Sequence, residues 1–233
     1  MRISTVVGVL AAGVLIGGVA APSAAAQSTC AELGGTVDAD QICQVHTANA
    51  TYRLDYTFST TYPDQEAVVG YLSQTRDGFV NVSDMPGSRD QPYVLDARGS
   101  SYSSAVAPGL PARTQSLVLE VFQDVGGAQP ETWYKSFNYD LVKRAPITFD
   151  TLFKPGSRPL DVIFPIVARE LETQAGIVQS ISQSAGMDPT HYQNFAITDD
   201  SVIFFFDRGA LVADSAGALQ ASVPRSAVAS LLA

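Results

Sequence analysis

Tyr192–Leu211 reads YQNFAITDDSVIFFFDRGAL, two apolar runs divided by a pair of aspartates. Asn194–Thr198 is expected to form a strand and Asp199-Asp200 a turn, since aspartate favours turn geometry. Ser201–Phe206 is strongly apolar and reads as the returning strand. Downstream, Leu219–Val223 is a further short strand, and Pro224 opens a terminal helix over 225–232. An antiparallel hairpin followed by strand and helix breaks any βαβ alternation. The fold class expected is α+β, with a mixed, largely antiparallel sheet and packed helices.

The rest of the chain supports that class. Thr51–Phe58 alternates apolar and polar residues and predicts a half-buried strand. Pro63 and Asp64 suit a helix start, and Val68, Leu72, Thr75 and Phe79 then lie on one helical face from about Asp64 to Val80. Pro86-Gly87 marks a turn. Tyr93–Val106 reads as one or two strands. LVLEVF within Gln115–Val125 and the alternating Glu131–Tyr139 form a hairpin candidate across Gly126-Gly127. Pro159 opens a helix with Val162, Ile163, Ile166, Val167 and Leu171 at helical spacing and Gly176 at its end. Pro165 falls either in its first turn or at a kink. Asp188-Pro189 reads as an N-cap followed by the first helical residue.

The N-terminus carries a different signal. Arg2 is followed by the uncharged apolar run Val6–Ala21, and Ala24-Ala25-Ala26 fits a cleavage site with Gln27 as the new terminus. Residues 1–26 therefore read as a secretory signal peptide, too short to span a bilayer. No other stretch suits a membrane span, so a soluble, secreted, extracellular protein is expected. Two regions are expected after it, 27–140 and 141–233. Cys30 and Cys43 are the only cysteines, and in an oxidising compartment they pair as one disulfide. The formal net charge is −9, and losing Arg2 makes it one unit more negative. Such a balance disfavours nucleic acid and suits basic partners.

No catalytic motif stands out. G-x-S-x-G, H-E-x-x-H and a phosphate loop are absent. His46 and His191 lie in different regions. Glu170 and Glu172 are two apart on a helix, pointing to different sides, and Asp199-Asp200 sit in a turn. No cofactor or metal is expected.

Four blocks carry a resemblance: Tyr62–Phe79, YPDQEAVVGYLSQTRDGF; Phe164–Gly176, FPIVARELETQAG; Tyr192–Leu211; and Val223–Ala233, VPRSAVASLLA. Together they resemble the secreted mycobacterial immunogenic proteins of the MPT series, which are culture-filtrate antigens. The hairpin with its T-D-D turn, F-x-F strand and terminal V-P helix is also similar to the C-terminal domain of lysozyme-sensing anti-sigma factor ectodomains. That domain accompanies some secreted peptidoglycan deacetylases as a non-catalytic part. The resemblance implies an α+β fold with a β-grasp-like element and a secreted protein without known enzymatic activity. The chain departs from the lysozyme-sensing relatives at Gly209–Ala213, where they carry a tyrosine and an Ala-Pro.

The reading is a monomeric, secreted, non-enzymatic binding protein and antigen. It would be host-directed or associated with the cell envelope and have a protein partner whose identity the sequence leaves open, with lysozyme or another basic protein as candidates, and no stable membrane insertion. Asp199, Asp200 and Asp207 are the candidates for the contact surface. The alternatives are an enzyme acting on cell-envelope glycan or peptide, and a lysozyme-binding module.

Overall fold

The computed structural model describes residues 23–85, 91–107, 109–126, 129–176 and 181–233. The apolar run Val6–Ala21 expected to belong to a signal peptide, the turn expected at Pro86-Gly87, and Gly127 lie outside the described residues. The chain runs α1 (Ala24–Glu32), β1 (Thr36–Val37), β2 (Ile42–Ala48), β3 (Tyr52–Ser59), α2 (Gln65–Ser83), β4 (Tyr93–Ala105), β5 (Ala112–Asp124), β6 (Glu131–Asp140) and β7 (Ala145–Pro146). It continues through α3 (Phe149–Leu152), α4 (Leu160–Ala175), α5 (Gln183–Gly186), a 3-10 turn at Pro189–Tyr192, β8 (Phe195–Ile197), β9 (Ser201–Phe206), β10 (Leu219–Pro224) and α6 (Arg225–Val228).

Strands β1 to β7 form one sheet in sequence order, and β10-β9-β8 form a second. Every pairing is antiparallel except β3 with β4, which α2 connects as a crossover. The fold is thus α+β with a largely antiparallel sheet. Tyr93–Val106 resolves into a single long strand. The terminal helix ends at Val228, because Leu232 leaves it to bridge Phe153.

Alternation along the strands sorts the side chains. Leu54, Tyr56, Phe58, Leu95, Leu117 and Leu119 face α2 and pack on Val68, Leu72 and Phe79. Asp64 caps α2 by accepting from the Ala67 amide at 3.2 Å. The opposite face meets the second sheet through Val118, Ala196 and Phe205, with Tyr102 and Tyr134 beside them. Phe195, Phe204 and Phe206 point the other way, onto Ile163, Val167 and Leu171 of α4. The order of layers is helix, seven-stranded sheet, three-stranded sheet, helix. A strand buried on both faces reads as a continuous apolar run, which is why SVIFFF has no polar alternation.

Cys30 and Cys43 are bonded, tying α1 to β2. Gly35 sits between them, where a Cβ would lie 2.7 Å from the Gln44 carbonyl oxygen and 2.9 Å from Cys30 Sγ. Pro165 lies inside α4, beyond its first turn, and Gly176 ends that helix in the left-handed region.

Candidate functional site

In β2 and β3, Cys43, Val45, Leu54 and Tyr56 turn inward, so Gln44, His46, Arg53 and Asp55 turn to the other face. The hairpin register sets His46 directly opposite Asp55. His46 Nδ1 lies 2.5 Å from Asp55 Oδ1. With the proton on Nδ1 and donated to the carboxylate, Nε2 is left as the basic nitrogen of the ring. Arg53 Nε is 3.1 Å from Asp55 Oδ2, and its Nη2 is 3.8 Å from Asp96 Oδ2. Asp96 Oδ1 is buried without a hydrogen-bond partner. The His46 side chain is 67% exposed and that of Asp55 39%. A base oriented by a carboxylate, with a guanidinium alongside, is the part of a hydrolytic site that handles protons and charge.

A cleft of about 480 Å³ opens on the same face, beside the first residues of β6. Its charged groups hold that strand's free edge. Asp207 Oδ1 accepts from the Tyr134 amide at 2.7 Å, and the Arg208 amide donates to the Thr132 carbonyl at 2.9 Å. The Arg208 guanidinium donates to the Pro130 carbonyl, to Gln129 Oε1 and to the Asp214 carbonyl. Burial pushes the Asp207 carboxyl above the usual range, against the opposing Tyr134 hydrogen bond.

The structure does not bring the three candidate aspartates together. Asp199 and Asp200 lie before β9 and Asp207 after it, separated along the strand by roughly 20 Å. The Asp199 carboxylate accepts from the Ala105 amide at 2.7 Å. Only Asp199 and Asp200 are exposed, and Asp207 is half-buried because its carboxylate is spent on the β6 edge. Ala24, Ala26 and Gln27 lie in the first turn of α1. In the departing loop, Ala210, Leu211 and Val212 pack back against the second core. His191 Nδ1 meets the Ala185 carbonyl at 2.9 Å. Among the described residues, no group of three or more His, Cys, Asp or Glu is placed to hold a metal.

No strand is predicted over Ile42–Ala48 in the sequence, so His46 and Asp55 are not expected to meet. The signal for one is present: ICQVH and RLDY alternate on either side of Asn49-Ala50-Thr51, which places His46 and Asp55 symmetrically about one turn.

Residues 150–226 match the family described as a protein of unknown function (DUF3298). The chain is 54% identical over 228 residues to the esterase Rv3036c of Mycobacterium tuberculosis, covering 98% of each chain. It is 44% identical over 220 residues to the immunogenic protein MPT64 of the same organism, covering 94% of this chain and 95% of that one. A DUF3298 family crystal structure from Pseudomonas aeruginosa shares the fold, with a TM-score of 0.53 at 12% identity, covering 82% of this chain and 93% of that one. Full-length similarity at this level means that the chain belongs to the family of mycobacterial proteins that includes MPT64 and Rv3036c.

Proposed function

We propose that this protein is a secreted ester hydrolase in which His46 is the general base and Asp55 its orienting acid. The observation that carries the reading is the 2.5 Å His46–Asp55 contact on an open face of the sheet. It is supported by the 54% identity to a protein named an esterase. His46 Nε2 takes a proton from a water molecule as the water oxygen attacks the ester carbonyl carbon. Asp55 holds the Nδ1 proton and stabilises the imidazolium. Collapse of the tetrahedral intermediate breaks the bond to the alcohol oxygen, which receives the proton from Nε2. The products are one carboxylic acid and one alcohol. Arg53 stands beside the pair as the cation that offsets developing negative charge on the carbonyl oxygen.

The test is turnover of p-nitrophenyl acetate by purified protein, compared with His46→Gln and Asp55→Asn. A positioned base contributes roughly 10²- to 10⁴-fold, so His46→Gln is expected to lose at least a hundredfold. Absence of turnover in the unaltered protein, or full turnover in His46→Gln, would overturn the reading.

The likeness to immunogenic proteins favours a second reading, a secreted antigen that works by binding a basic protein partner without turnover. Among the described residues, no helix is long and apolar enough to cross a membrane. Retention of lysozyme on immobilised protein at physiological salt, with no ester turnover, would select it.

A further inference from the structure

The strand registers align His46 with Asp55, Asp55 with Asp96, Asp96 with Phe122, and Phe122 with Thr132. These five residues form one row across five strands, all on the face turned away from α2. At about 4.8 Å per strand the row is roughly 19 Å long. One end is the His46–Asp55 pair. The other end, at Thr132, opens into the 480 Å³ cleft beside Arg208.

The second sheet covers this face at Tyr102, Val118 and Tyr134, and the chain after β9 meets the row at its Thr132 end, where the Arg208 amide donates to the Thr132 carbonyl. Phe122 is half-buried and packs in none of the three apolar clusters. An aromatic ring thus stands fourth in the five-residue row, a polar shelf with the carboxylates and guanidinium on one side of the ring and the cleft on the other.

We infer that this shelf binds an extended, uncharged polysaccharide strand lying across the strands, with an O-acyl group presented to His46. This rests on the ester-hydrolase reading and adds its substrate class. The row runs perpendicular to the strands, whose backbone groups are already paired, so a peptide cannot add to it as a further strand. The row has one aromatic ring and no series of apolar pockets for side chains. Its hydrogen-bonding groups suit a chain rich in hydroxyls. The net charge of −9 disfavours a polyanion.

Two measurements separate this inference from the reading beneath it. Calorimetric binding of acetylated xylan to the His46→Gln protein reports on the shelf without turnover. Binding is expected to persist there, to weaken at least tenfold with Phe122→Ala, and to return with Phe122→Tyr. In the otherwise unaltered protein, Phe122→Ala is expected to lose at least tenfold more kcat/KM on acetylated xylan than on p-nitrophenyl acetate. Failure to bind xylan, equal binding by Phe122→Ala with its melting curve unchanged, or binding of gelatin in place of xylan would overturn the shelf. Loss of p-nitrophenyl acetate turnover alone would count against the hydrolase reading and leave the binding result standing.

Discussion

The Asn138 side chain crosses from the seven-stranded sheet to the three-stranded one and donates its amide to the Phe195 carbonyl at 2.8 Å. Its own oxygen accepts from the Ser116 hydroxyl at 2.5 Å, and Ser116 Oγ in turn accepts from the Ile197 amide at 3.2 Å. β8 is an edge strand, and these side chains satisfy the groups that an edge leaves open. The same solution recurs at the far edge of that sheet, where Glu170 accepts from the Ser222 amide and Gln174 donates to the Gln220 carbonyl. Polar residues buried between two sheets are thus edge caps, which is why an apolar interior tolerates them.

Asn138→Leu is therefore expected to destabilise the protein by about 2–6 kcal/mol. It leaves the Phe195 carbonyl and the Ser116 hydroxyl buried without their partner, and each orphaned group costs roughly 1–3 kcal/mol. Urea unfolding should show a lower midpoint with an unchanged slope. An unchanged midpoint would mean that water replaces the amide.

Asp207 gives a pH signature. Burial raises its folded-state pKa above the ordinary carboxylate value. Below the unfolded value both states are protonated, and the group contributes no pH dependence. As pH rises from there, the unfolded chain releases the proton first, so stability falls until the folded pKa is passed. Asp207→Asn keeps an acceptor for the Tyr134 amide and removes this slope. Its stability relative to the unaltered protein should rise between acid and neutral pH. Asp207→Ala removes the acceptor as well and should cost about 1–3 kcal/mol throughout. Melting temperatures across pH 3 to 7 distinguish the three proteins.

Much of the framework was legible because its signals are local. The alternation of YRLDYTF, the Asp64 cap of α2, the LVLEVF–TWYKSFNY hairpin and the Asp-Asp turn each specify their own segment. The parallel pairing of β3 with β4 was not legible, since it depends on how the α2 crossover returns the chain. Nor were the edge caps. Asp207 meets Tyr134 across 73 positions and Asn138 meets Phe195 across 57, and neither contact leaves a trace in neighbouring residues. Asp199 and Asp207 read as surface residues from composition, and the structure spends both carboxylates on backbone amides.

Gly35→Ala should destabilise the N-terminal arm. The added methyl carbon would lie 2.7 Å from the backbone oxygen of Gln44, which cannot swing away as a side-chain tip could. Overpacking of this kind costs about 1–3 kcal/mol. The strain falls beside the Cys30–Cys43 bond, so the disulfide should also be reduced by dithiothreitol more readily than in the unaltered protein. Thiol titration over time tests this, and an unchanged reduction rate would show that the arm shifts freely.

Pro165 offers a change in the opposite direction. It lies inside α4, past the first turn, and has no N–H to donate to the Asp161 carbonyl. Its ring is exposed, so replacing it removes no buried contact. A proline in a helix interior costs about 3 kcal/mol relative to alanine. Part of that is recovered in the unfolded chain, which the proline stiffens by roughly 0.4–1 kcal/mol. The α4 face below packs through Ile163, Val167 and Leu171, and these keep their places if the helix closes its missing hydrogen bond. Pro165→Ala is therefore expected to stabilise the protein by about 1–2 kcal/mol. For a chain of this size that is a rise in Tm of roughly 2–8 °C. Calorimetry on the two proteins measures it. A fall in Tm would mean that the proline sets a bend on which the packing of α4 against β10 depends.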